Sequence, residues 1–278
     1  MAESTFRVAL VPRVFFGPNA EEELCAALDA VRRDSAQLAI LPEIPFNPWS
    51  PASRTPDPAD AEPLRGPRFE MLSRVAERVG IGVVGGAIVL DEAGRRHNTA
   101  LVVDQSGALV HRYRKVHLPQ EPGFWEQDHY QPGSEPPGRC DAFDLPLGLQ
   151  ICSDVNRPSG SNLLGAMGAQ LIVVPRSTER ASYGRWKPVF QTNALTSCCY
   201  VISVNRPGPE LGVGIGGPSV AVDPGGDVMI ETEDPAIVEL SLNAVASARK
   251  RYPGYLIEPA ELYERGWREV ANYSRDSH

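Results

Sequence analysis

Three polar side chains stand at or just beyond the ends of apolar runs. Glu43 follows Gln37–Leu41, Lys115 follows Ala108–Arg114, and Cys152 follows Leu147–Ile151. A carboxylate, an ammonium and a thiol can together open a carbonyl–nitrogen bond. The carboxylate takes the thiol proton, the sulfur attacks the carbonyl carbon, and the ammonium holds the oxyanion that develops. After Cys152 the chain breaks into a polar loop, Ser153–Gly160, and a helix is predicted from about Pro158 to Met167. That places Cys152 at a strand end facing a helix N-terminus, where the dipole and free N–H groups favour a thiolate, so a low-pKa thiol is expected, at rest or on binding.

The lysine is unusual in this chain. Of 27 basic residues, only Lys115, Lys187 and Lys250 are lysines, and the rest are arginines. An ammonium is a compact point charge, whereas guanidinium is broad and planar. Lys115 is therefore expected to resist replacement by arginine.

The elements that must position these groups follow from periodicity. Phe6–Val11, Gln37–Leu41, Ile81–Leu90, Asp141–Leu145, Leu147–Ile151, Gln170–Pro175, Cys199–Val204 and Ile237–Leu242 are apolar enough for strands. Hairpins are predicted at His97–Asp104/Ala108–Arg114 and at Ser219–Asp223/Val228–Glu231, around Gly107 and Gly225–Gly226. Helices are predicted at Asn19–Ser35, at Arg65–Val79 with Gly80 as C-cap, and at about Arg185–Ser197. Ile44–Pro63 reads as a Pro-rich loop without regular structure, and Gln120–Pro137 as an irregular loop. With Phe46, Trp49 and Trp125, the Pro-rich loop is expected to wall the site. Two halves of strand–helix–strand followed by hairpins imply an α/β fold of two mixed sheets, packed face to face with helices outside. One domain over residues 1–278 is expected. Its arm, at about 253–278, carries Leu262, Tyr263, Trp267 and Tyr273, and such an apolar arm suits contact with a second copy.

Composition excludes other classes. At 42% hydrophobic and 22% charged, the chain should pack a globular core. A net charge of −8 argues against nucleic acid or an anionic membrane as partner. No apolar run is long enough to span a bilayer, and Met1–Pro12 lacks the basic start of a signal peptide. Cys25, Cys140, Cys152, Cys198 and Cys199 are odd in number and lack CxxC spacing. Reduced thiols in a cytoplasmic protein are expected, with no metal and no cofactor. A Cys–His hydrolase using His97, His111, His117 or His129 is the rival reading of the same cysteine.

The motifs resemble those of the nitrilase superfamily, the carbon–nitrogen hydrolases, over about Phe6–Leu242. They run in that family's order: Leu41-Pro42-Glu43, then His97-Asn98-Thr99-Ala100, Tyr113-Arg114-Lys115-Val116-His117-Leu118 and Ile151-Cys152-Ser153-Asp154. Val204-Asn205-Arg206 and the stretch Ser219–Gly226 add to the match. The resemblance implies Glu43 as general base, Lys115 as oxyanion stabiliser and Cys152 as nucleophile. It also implies a second glutamate ahead of a Pro-Gly, a place that Glu126 takes before Pro132-Gly133. It further implies a four-layer α-β-β-α sandwich, commonly dimerised, which needs no cofactor, and His97 and His117 in structural places. Cys152-Ser153-Asp154 is closer to amidases and carbamoyl-amide hydrolases than the Cys-Trp-Glu of nitrilases proper. The arginines that carbamoyl-amino-acid hydrolases place after the cysteine are here Val155 and Asn156, with Arg157 next. The expected substrate is a linear amide or N-carbamoyl amide, contacted by Trp125, Ser153 and Asn156. A nitrile, or no substrate at all in a silent scaffold of the same fold, is the alternative.

Overall fold

The computed structural model describes residues 5–276, with side chains through residue 272; Met1–Ser4 of the N-terminal stretch and the Tyr273 side chain lie outside the described residues. Two six-strand ladders carry the fold. In the first, the order is Ala236–Ser241, Thr5–Leu10, Leu38–Ile40, Gly82–Leu90, Arg96–Val103, Leu109–Arg114. In the second it is Val228–Thr232, Ser219–Val222, Tyr200–Asn205, Leu171–Arg176, Leu147–Leu149, Arg139–Cys140.

Side-chain alternation makes four layers of these sheets. Successive residues of a strand face opposite ways. Thus Val8 and Leu10 pack between the sheets with Leu38, Ile40, Leu149, Val173 and Ile202. Ala9 and Ala39 instead meet Leu24, Leu28, Leu72 and Val75, which come from helices Ala20–Arg33 and Pro67–Val79. On the far side, Ile172, Val174 and Val201 meet Leu164, Phe190 and Ala194, from helices Pro158–Ala166 and Tyr183–Ser197. The result is the expected α-β-β-α sandwich.

Strand direction decides where the polar ends gather. Thr5–Leu10, Leu38–Ile40 and Gly82–Leu90 run parallel, and two antiparallel steps bring Leu109–Arg114 back to that direction. Leu147–Leu149, Leu171–Arg176 and Tyr200–Asn205 are parallel to one another. Ligand sites of such sheets form beyond the carboxyl ends. Gly86 lets the Glu43 loop lie close: a Cβ there would sit 3.1 Å from Thr99 O and 3.7 Å from Ile44 N.

Three expectations need correction. Asp141–Leu145 is not a strand. The chain pairs at Arg139–Cys140 instead, antiparallel to Leu147–Gly148, and the apolar residues read as a strand anchor a bend, with the Phe143 ring edge-on to Phe6 at 6.4 Å. The Pro-rich loop is not without regular structure. It holds two single 3₁₀ turns, Ser50–Ala52 and Pro58–Asp60, and a short strand Ala61–Pro63 on Gly82–Leu90. The second loop holds a small hairpin, Gln120–Glu121 with Phe124–Trp125, and a helical turn Glu126–His129. The chain closes on helices Leu242–Ala248 and Ala260–Asp276, and the latter leaves Leu262, Tyr263 and Trp267 more than half exposed.

Candidate active site

Lys115 is the centre of the constellation. It follows Leu109–Arg114, its backbone N–H donates to Asn98 O, and its side chain is fully buried. Its ammonium donates to Glu43 Oε1 at 2.8 Å and to Glu126 Oε1 at 2.6 Å. Burial alone would push Lys115 down, but Glu126 and Glu43 outweigh this and hold it well above the usual lysine range. Asn98 Nδ2 also donates to Glu43 Oε1, at 2.8 Å. Glu43 Oε2 and Glu126 Oε2 are buried with no hydrogen-bond partner among the described residues.

The two carboxylates differ. Burial raises Glu126 to about 8, with Lys115 opposing and Glu43 adding to the rise. The rise favours the protonated form of Glu126, and its Oε2 is unpartnered among the described residues. Glu43 keeps one oxygen tied to Lys115 and Asn98 and the other unpartnered, the arrangement a proton acceptor needs.

Cys152 enters from the second sheet. It follows Leu147–Leu149 and turns sharply, with φ +47°, into the 3₁₀ turn Cys152–Asn156. A non-glycine residue in the left-handed region is strained, and such strain concentrates at functional sites. The Sγ contacts Ser177 O at 3.8 Å. Of the low-pKa thiol expected at rest or on binding, the resting form is not found: burial pushes the thiol up, and the Glu43 charge adds to this while Lys115 opposes it. Cys152 does not lie ahead of a long helix. It opens a single turn, so no macrodipole of useful size acts on it. The resting thiol is protonated, and a base must act on it.

Asp154 joins the two sheets. Its Oδ1 accepts from the backbone N–H of Val116 (3.2 Å) and His117 (2.8 Å) and lies 2.8 Å from His117 Nδ1. Its Oδ2 accepts from Ile151 N at 3.1 Å. Ser153 Oγ donates to His117 O. The segment carrying Lys115 and the turn carrying Cys152 are thereby fixed to each other. His97, between Gln131 O at 2.9 Å and Asp91 Oδ2 at 3.2 Å, is likewise absorbed in loop contacts.

Cys152 opens on a cavity of about 330 Å³ that Ser153, Asn156, Phe124, Thr178 and Trp186 help to line. Trp125, Phe46 and Trp49 do not line it. Trp125 instead carries Arg54 over its ring at 3.8 Å. Trp49 is fully buried, donates from Nε1 to Gly123 O at 2.8 Å and packs edge-on against Phe124. The Pro-rich loop thus supports the wall from behind, and Phe124 is the aromatic that reaches the cavity. Among the described residues no group of three His, Cys, Asp or Glu is placed to hold a metal ion.

A carbon–nitrogen hydrolase family model matches residues 16–250. The chain belongs to this family. Omega-amidase NIT2 of Bos taurus is 28% identical over 276 residues, covering 94% of this chain and 98% of the relative. The deaminated glutathione amidase of Synechocystis sp. is 29% identical, covering 85% and 92%. Among solved structures, a carbon–nitrogen hydrolase from Helicobacter pylori G27 shares the fold with a TM-score of 0.85 at 20% identity, over 94% of this chain and 98% of that one. An amidase from Nesterenkonia sp. AN1 shares it with a TM-score of 0.72 at 24% identity, over 94% and 97%. That structure is of a glutamate-to-leucine mutant of the amidase and shows covalent addition of the acetamide moiety of fluoroacetamide at its active-site cysteine.

Sequence reasoning gave no role to Asn98, Ser177, Arg176, Arg206 or Glu210, all of which border the site or hold it. Asn98 and Arg206 sit in the quoted motifs, and that was the available signal. Ser177 offers none in sequence, because what matters is its backbone carbonyl.

Proposed function

We propose that the chain hydrolyses a linear amide, or an N-carbamoyl amide, through a thioester on Cys152. The observation that carries this reading is the buried Lys115 ammonium held between two glutamates, each with an unpartnered Oε2, beside a neutral thiol that opens on a cavity. Glu43 takes the proton from Sγ, and sulfur bonds to the carbonyl carbon. Lys115 stabilises the oxyanion as it forms. The tetrahedral adduct collapses, the C–N bond breaks, and the proton on Glu43 leaves with the amine or ammonia. Water then gives a proton to Glu43 and attacks the thioester, releasing the carboxylic acid and restoring the thiol. Glu126, protonated, supports Lys115 without cancelling its charge. Ser153 and Asn156 are in place to orient the substrate. Both curated relatives being amidases supports an amide over a nitrile.

Mass spectrometry after incubation with a panel of small amides and nitriles is the test. A covalent acyl adduct on Cys152 from an amide, absent in Cys152→Ala, is expected. No adduct and no turnover across the panel would favour the silent scaffold, and turnover retained in Cys152→Ala would remove the nucleophile.

We further propose a homodimer or higher homo-oligomer in the cytoplasm. Support comes from Leu256, Ile257, Leu262, Tyr263 and Trp267, which are 52–92% exposed along the arm together with Tyr255. All five cysteines are unpaired, as a reducing compartment would keep them. Among the described residues no helix is long and apolar enough to cross a membrane.

A further inference from the structure

Arg206 directly follows strand Tyr200–Asn205 of the second sheet and is fully buried, yet it does not line the cavity at Cys152. Every nitrogen of its guanidinium is engaged. Nη1 donates to Ile44 O at 2.7 Å and Glu43 O at 3.3 Å. Nη2 donates to Asn47 O at 2.6 Å and Glu210 Oε1 at 2.9 Å, and Nε donates to Glu210 Oε2 at 2.7 Å. Glu210 Oε1 also accepts from Trp49 N at 2.7 Å. One arginine and one glutamate of the second half thus grip residues 43–49 of the first.

The gripped segment needs holding. Ile44 has φ +47°, in the left-handed region that a β-branched residue avoids. Such a conformation persists only where the surroundings over-determine it, and here they do so by capturing the carbonyls on both sides of Ile44 N–Cα. Released, Ile44 would relax toward an ordinary conformation and turn the preceding residue with it. That residue is Glu43, whose carboxylate must meet Lys115 and Asn98.

We infer that Arg206, anchored by Glu210, is the positioning residue for Glu43: from across the sandwich it fixes the strained Glu43–Ile44 backbone and so aims the carboxylate at Lys115 and the thiol. This rests on Glu43 being the base. Arginine suits the task because its planar fork reaches carbonyls on one edge and a carboxylate on the other. An ammonium would keep the charge opposite Glu210 and lose that geometry.

The test is the pH dependence of Cys152 modification by methyl methanethiosulfonate, a small thiol reagent without an amide, followed on the Cys152 peptide alongside amide turnover. It compares wild type, Arg206→Lys, Glu210→Gln, Glu43→Gln and the Arg206→Lys/Glu43→Gln double variant. Because displacement of a reacting group by about 1 Å costs up to about 100-fold, Arg206→Lys should lower kcat by roughly 10- to 100-fold with little change in KM. Its Cys152 modification should need a higher pH, because the sulfur's proton loses its aimed acceptor; the loss of the Glu43 charge alone would shift it down, and a downward shift overturns the inference. In the Glu43→Gln background the same substitution should add little, since residues acting as one unit are not additive. The inference is overturned if folded Arg206→Lys keeps the wild-type kcat and pH profile, or if its cost is undiminished in the Glu43→Gln background. Should Arg206→Lys not fold, Glu210→Gln gives the same reading, with a smaller loss and the same upward pH shift, and an unchanged profile there overturns the inference equally. A Glu43→Gln variant with wild-type Cys152 modification would instead sink the base assignment itself.

Discussion

The two walls of the cleft handle charge in opposite ways. On the first sheet, the Lys115 ammonium stands within 2.8 Å of both Glu43 and Glu126. On the second sheet, Cys152 faces a carbonyl, and the buried cation Arg176 pairs with no carboxylate among the described residues. Its Nε donates to Ser203 Oγ at 3.0 Å and its Nη2 to Pro218 O at 2.6 Å, while Thr178 Oγ1 takes a third bond. The rings of Phe190, Tyr183 and Trp186 lie 5.3, 5.7 and 6.0 Å from its guanidinium carbon. Burial draws Arg176 down to about 10. The walls divide the labour. The charged wall can move a proton, while burial together with the Glu43 charge opposite keeps the sulfur a thiol until that proton is taken, and a thiol resists stray oxidation better than a thiolate does.

The largest expected effect comes from breaking the charged wall. Lys115→Ala leaves carboxylates buried without their cation, which costs about 3–5 kcal/mol of stability. It also removes the oxyanion partner, for a loss in turnover on the order of a hundredfold to a thousandfold. Lys115→Arg should approach the same loss in turnover, because the broader cation cannot sit between two oxygens so close to a single Nζ. Near-normal turnover in Lys115→Arg would take Lys115 out of the chemistry. Breaking the second wall should cost less: Arg176→Met strands no charge, so only the orphaned acceptors count, at about 1–3 kcal/mol. Urea unfolding of Lys115→Ala and Arg176→Met compares them directly, and equal costs would mean that Arg176 is also charge-coupled.

The smallest effect sharpens the comparison through pH. Folding raises the Glu126 carboxyl from its ordinary 4.5 to about 8. Between those values the folded state binds a proton that the unfolded chain releases. This contribution is full below the unfolded value and is lost as pH rises through the folded one. Wild type should therefore lose melting temperature as pH rises from about 4.5 to about 8, by roughly 2–4 °C for each kcal/mol forfeited, and Glu126→Gln should not. Parallel melting curves for the two would show that Glu126 stays ionised beside Lys115.

Much of this was legible in sequence, for reasons that particular residues show. Val8, Ala9 and Leu10 alternate between two cores, so the strand and its two faces read directly from apolar runs. Glu43, Lys115 and Cys152 were visible because each polar residue ends such a run. Asp141–Leu145 misled because Phe143 and Leu145 are apolar for tertiary reasons, one packing on Phe6 and the other in the inter-sheet core. Trp49 misled in the same way: an aromatic in a Pro-rich loop reads as a surface wall, yet its indole closes on Gly123 O from 74 positions away. The resting thiol was misjudged because a strand end before a helix suggests a dipole. Neither the shortness of the turn nor the depth of the burial is written in the local sequence. Arg176 was invisible, and the part played by Arg206 unreadable from its motif, for the deepest reason. An arginine is by default a surface residue, and only the fold shows which carbonyls and rings surround it.

Glu43, Lys115, Glu126 and Cys152 all lie within the first 152 residues, whereas the grip on Ile44 comes from 162 positions further along. A chain emerging from the ribosome would carry every reacting group long before it could aim the first of them. The enzyme would come into force only as the second sheet docks, so that a truncated product would hold a complete list of reacting residues and remain inert.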